Sequence, residues 1–110
     1  MNLSEEQLNE LRSLCRDAQV MTEGQHNYVL LSGLRIRHGS ETLTMDALLC
    51  PQEHTGYATR LFLGKPLSSR QKNWTVHGIL GKSWHTWSWK DVSSDQTLLE
   101  ILADHLRALK

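Results

Sequence analysis

Near the start of the chain the apolar positions recur at three- and four-residue steps. Leu8, Leu11, Leu14, Cys15 and Ala18 form one stripe, with Glu6, Glu10, Arg12, Arg16 and Asp17 turned mainly to water, which is the period of an amphipathic helix. Ser4 and Gln7 make a capping box, so the helix is expected from Glu5 to about Val20. After Thr22-Glu23-Gly24 the period shortens. Tyr28-Val29-Leu30-Leu31 reads as a first strand ending at Ser32-Gly33, and Leu34 and Ile36 alternate with Arg35 and Arg37 as its continuation. Leu43, Met45, Ala47 and Leu49 alternate with Thr44, Asp46, Leu48 and Cys50, a second strand that Pro51 stops. Tyr57 to Leu63 is its antiparallel mate across the turn-like residues 52–56.

Gly64 to Lys72 reads as a polar surface loop, and Trp74, Val76 and Ile79 fit a fourth strand. The stretch from Asn73 to Trp89 holds all four tryptophans. Trp87 and Trp89 share a face at period two while Trp84 is out of phase with both, and Gly78, Gly81, Ser83, Thr86 and Ser88 disfavour a helix. An irregular segment is expected, with Trp87 in the core and one of Trp84 or Trp89 partly exposed beside Lys82 or Lys90. Asp95 is placed to cap a closing helix with Leu98, Leu99, Leu102, His105, Leu106 and Leu109 along one face, ending at Lys110. The expected class is α+β: one domain over residues 1–110, an antiparallel meander sheet of three to four strands flanked by an N-terminal and a C-terminal helix.

Composition narrows the function classes. At 110 residues the chain is too short for two ordinary domains, and no apolar run approaches the ~20 residues of a membrane-spanning helix. The N-terminal residues lack the basic segment and apolar core of a secretory signal, so a reducing cytoplasm is the default compartment. Cys15 and Cys50 fit no zinc or disulfide spacing and read as core residues. Formal net charge is zero, which makes nucleic acid a poor candidate partner. The charge is nonetheless uneven: between Glu53 and Asp91 there is no acidic residue, while Arg60, Lys65, Arg70, Lys72, Lys82 and Lys90 fall there among the tryptophans. That stretch is either a cationic, aromatic face for an acidic partner or a set of solvated charges balanced by the acidic N-terminal helix.

Several of these segments also carry a family resemblance. The alternating strand from Leu43, Pro51, and then Gly56-Tyr57 resembles the strand, proline and tyrosine pattern of ubiquitin-conjugating enzymes and their bacterial relatives. Arg60-Leu61-Phe62-Leu63 continues the likeness. Trp84-His85-Thr86-Trp87-Ser88-Trp89, followed by a leucine-rich helix, is similar to the Gly-Arg-x-Trp-x-x-Trp-Ser segment of small bacterial conjugating-enzyme-like proteins. The resemblance, covering Tyr28 to Leu109, implies a UBC-like fold and a ubiquitin-like modifier or an activating-enzyme-like protein as partner, with no cofactor. It also implies a thioester-forming cysteine in the region of Asn73 to Ser83. No cysteine stands there. The resemblance therefore implies a non-catalytic or degenerate member, a binding component of a bacterial ubiquitin-like modification pathway, with Asn73 and His77 matching residue types the family uses near its nucleophile.

Three other chemistries stay open. Cys50 with His54 as base, four residues on across Pro51, would make a cysteine-dependent transferase. His54, His77 and His85, with or without Cys50, would offer imidazoles to a metal, although isolated histidines more often satisfy local hydrogen bonds. The tryptophans are core pins, hot spots for a protein, or stacking platforms for single-stranded bases. Lys82, Trp84, Trp89 and Lys90 are the partner-contact candidates, and no Gly-x-Ser-x-Gly turn supports a serine hydrolase.

Overall fold

In a computed structural model the chain is described over residues 5–13, 15, 17–38, 40–52, 56–65, 74–87, 92–93 and 95–107. Two short helices, α1 (Glu5–Leu11) and α2 (Leu98–Arg107), bracket six strands. These are β1 (Asp17–Glu23), β2 (His26–His38), β3 (Glu41–Cys50), β4 (Arg60–Leu63), β5 (Trp74–Ile79) and β6 (Lys82–Trp87). All pairings are antiparallel, in one sheet of order β1-β2-β3-β4-β6-β5. The expected sheet of three to four strands flanked by helices in UBC fashion is therefore incorrect. Two physical causes account for the extra strands.

The first is a helix that ends early. Leu8, Leu11, Cys15 and Ala18 are all buried, as the helical period requires, but α1 stops at Leu11. Ala18 reaches the core from a strand, because residues 17–23 pair along their whole length with β2, from Asp17 opposite Ser32 to Glu23 opposite His26. Burial at i, i+3 and i+7 does not distinguish one long helix from a helix, a turn and a strand. The second cause is the turn at Leu80-Gly81. Both residues have positive φ, 54° and 76°, the backbone a two-residue type I′ hairpin requires. Ile79 pairs with Lys82 and Trp74 with Trp87 across it. Residues 74–87 of the stretch expected to be irregular thus form a regular hairpin.

Alternation along the strands then sorts the core into two faces. Val29, Leu31, Leu34, Ile36, Ala47, Leu49, Leu61, Leu63 and Trp87 share one cluster with Leu8 and Leu11 of α1 and Leu98, Ile101 and Leu102 of α2. Both helices lie on this face and pack on each other instead of flanking the sheet. Gln7 of α1 ties them, its Oε1 accepting the Leu98 N–H at 3.0 Å. Thr97 and Glu100 close a capping box there, the Glu100 N–H donating to Thr97 Oγ1 and the Thr97 N–H to Glu100 Oε1. The α2 cap therefore belongs to Thr97, two residues past the expected Asp95.

Tyr28, Leu48, Cys50, Phe62, Ile79 and Trp84 form the second cluster, on the opposite face. The sheet curls around it. Glu23, at the β1–β2 turn on one edge, accepts the N–H of Leu80, at the β5–β6 turn on the other, at 3.0 Å. Trp84 and Trp87 thus stand on opposite faces, the phase difference their spacing predicts.

Candidate functional site

The chemistry-bearing side chains of the curled face gather around Arg60. Its partner across the β3–β4 ladder is Cys50, and Leu48 opposes Phe62 next along. Arg60 is buried, with its guanidinium carbon 4.2 Å from the Tyr57 ring centre and 5.8 Å from that of Phe62, a cation seated on aromatic faces. Burial lowers its affinity for a proton, while Tyr57 and Cys50 act the other way. A guanidinium nevertheless keeps its charge in proteins. Around it, Tyr28 meets Phe62 edge-on at 6.1 Å and Phe62 meets His77 at 5.5 Å. Burial first, and then Cys50 and Glu23, push the Tyr28 hydroxyl up to about 12. Burial and the nearby Arg60 charge hold the His77 imidazole below its ordinary range, so it is neutral at pH 7. The cluster is a packed aromatic surround for one buried cation.

Cys50 itself is 0% exposed, and its Sγ contacts Gln52 O at 3.5 Å. An electrophile would reach the thiol only after the sheet opened, whereas a nucleophilic cysteine needs access as well as a base. His54 lies outside the described residues, as do Asn73, Trp89 and Lys90. His77 and His85 are in view but do not converge. His77 pairs with Trp84, and His85 is the next residue along β6, so the two imidazoles leave opposite faces of the sheet. Among the described residues no group of three His, Cys, Asp or Glu side chains is placed to hold a metal.

Lys82 and Trp84 do come together, in an open recess of about 400 Å³. Residues 44–46 of β3, Gly64 and Lys65 just past β4, and residues 82–84 of β6 line it. Lys65 and Lys82 are exposed. Trp84 is buried, so it lines the recess as a wall held in place from behind, its indole N–H donating to Ile79 O at 2.9 Å. Asp46 brings the one carboxylate among these residues, and its Oδ1 accepts the Gly33 N–H at 3.0 Å. Lys65 and Asp46 join the site by position alone: one follows a short strand, the other sits mid-strand, and neither belongs to a motif. A recess lined by two exposed lysines and a tryptophan, and open to solvent, suits capture of a carboxylate.

Behind the helix-covered face a second polar group is buried. Thr59 Oγ1 lies 3.0 Å from Val92 O and 2.9 Å from His105 Nε2. The hydroxyl has one proton, which it donates to the carbonyl, so His105 must donate from Nε2 and its Nδ1 is the unprotonated nitrogen. Burial lowers His105 to about 4, with Arg60 adding to the fall and Asp104 opposing it. The imidazole is a neutral structural link between α2 and the segment before β4.

Comparison of the chain with protein-family models, with curated proteins and with solved structures finds no match. Among the described residues no helix is long and apolar enough to cross a membrane.

Proposed function

We propose that this chain is a protein-interaction domain without conjugation chemistry of its own, and that it takes an acidic segment of a partner into the recess between β3 and β6. The observation that carries the reading is one open, ligand-sized recess whose lining includes Lys65, Lys82 and Trp84. Trp84, itself buried, forms the apolar back of the recess, and the lysines supply its charge. The zero net charge and the Asp46 carboxylate in the wall disfavour a nucleic-acid backbone as the ligand. Cys50, the thiol a transferase would use, has no exposed surface, and the recess itself brings no nucleophile–base pair.

The test is a charge reversal. Lys65→Glu with Lys82→Glu is expected to weaken binding of a hexaglutamate probe by about tenfold, the equivalent of two exposed ion pairs at under ~1 kcal/mol each. Arg12→Glu with Arg107→Glu, at exposed positions on and beside the helices of the other face, is the control and should leave binding unchanged. Equal weakening by both pairs would mean that the probe reads general charge, and the recess would lose its assignment. A ubiquitin-like modifier and an activating-enzyme-like protein, the partners the family resemblance implies, belong in the same assay.

A further inference from the structure

β4 is a short strand between two longer ones. β3 pairs with it only over Ala47–Cys50, and β6 meets it at the Leu63–His85 step. One more ladder bond follows, from the Gly64 N–H to Asp46 O at 2.9 Å. Past that point residues 41–45 of β3 still pair with β2 on their outer side, and residues 82–84 of β6 still pair with β5. Among the described residues no strand pairs with either on the inner side. The two backbone groups of a residue in an antiparallel ladder point to the same side, and that side alternates along the strand. Because Asp46 O faces β4, the N–H and C=O of Thr44 and Thr42 face the same way, into the gap. The residues lining the recess are those the register would set around a continuation of β4, with position 64 opposite 46 and 65 opposite 45.

We infer that the partner enters this gap as an extended peptide that adds to the inner edge of β3, its main chain pairing with Thr42 and Thr44. An inner edge whose ladder groups meet no strand among the described residues is a template for strand addition, in which main-chain bonds give affinity and alternate side chains give selectivity. The occupant is an acidic peptide because Lys65 and Lys82 flank the gap. Asp46 sets its register: a carboxylate beside Asp46 is repelled, so the acidic side chain belongs at the β6 side, near Lys82 and Trp84. This inference rests on the recess being the binding site and adds the conformation of what binds.

The experiment selects random dodecapeptides displayed on messenger RNA against the full chain, then measures the enriched peptides by calorimetry and by amide hydrogen exchange. The expected result is enrichment of acidic sequences whose binding slows exchange at Thr42 and Thr44. Methylating a peptide nitrogen that faces β3 is expected to weaken binding by about tenfold, one main-chain hydrogen bond, while methylating its neighbour in sequence has little effect. Acidic peptides that bind, depend on Lys82, and yet tolerate every N-methyl group without protecting Thr42 or Thr44 would overturn strand addition and leave the recess reading in place. Failure to enrich acidic peptides at all would overturn both.

Discussion

His105 is the residue at which chemistry and stability are most closely linked. It is 2% exposed and neutral, and its Nε2–H bond to Thr59 joins α2 to the residues that lead into β4. Its proton affinity is depressed in the fold, to about 4 against an ordinary 6.5. The unfolded chain therefore binds the proton first, and stability falls as pH drops from about 6.5 to about 4. The loss is on the order of 3 kcal/mol across that window, at 1.36 kcal/mol per unit. Urea denaturation at pH 7 and at pH 4.5 measures it. His105→Gln, which does not titrate, is expected to lack this part of the slope, and equal slopes for both proteins would contradict the assignment. Thr59→Val breaks the same link and strands the Val92 carbonyl, at a cost of about 1 to 3 kcal/mol. Cys50 yields a second prediction. With Cys15 and Cys50 both buried, native protein should show almost no thiol reactive to Ellman's reagent, and both should appear in denaturant. A fast native thiol that disappears in Cys50→Ser would reopen the cysteine-dependent reading.

Gly33 shows how one position governs an entire strand. Leu31 and Leu34 are an odd number of residues apart, so an unbroken strand would send them to opposite faces, yet both are in the helix-covered core. The register shifts between them, and Gly33, with φ at 69°, is the extra residue of a bulge that restores the phase. Gly33→Ala meets no nearby atom but holds an L residue at positive φ, which costs about 1 to 2 kcal/mol. Deleting Gly33 should do far more, by turning Leu34 and Ile36 out of the core, and loss of the cooperative thermal transition is the expected readout. The alternation in β2 and β3 was visible in the sequence because each buries a continuous apolar face, and β4, buried at every position, was visible as their mate across a turn. β1 was not, since its exposed Val20 and buried Ala18 mimic the end of a helical stripe. The β5–β6 hairpin was hidden by Leu80, which stands where such turns usually carry Asn or Asp.

Across the molecule the curl of the sheet is what creates a site. Two hairpin turns meet through Glu23 and Leu80, so the outer strands close over Phe62 and Trp84, and the short β4 leaves the recess open at one end. The sequence pointed to Lys82 and Trp84 because an aromatic run sits in an acid-free stretch. Lys65 lies in the same acid-free stretch, whereas Asp46 could not be found this way, because it reaches the site only through strand register. Trp87, packed among helices and strands on the other face, has a different role, and Trp87→Ala is expected to cost about 3 to 5 kcal/mol and to unfold so small a domain. The central claim is that an acidic segment binds between β3 and β6. A two-dimensional nitrogen–proton NMR titration of the whole chain with hexaglutamate tests it most directly. The account predicts shifts centred on the amides of residues 42–46, 64–65 and 82–84 and on the Trp84 indole, and shifts centred instead on the two helices or spread evenly over the surface would contradict it.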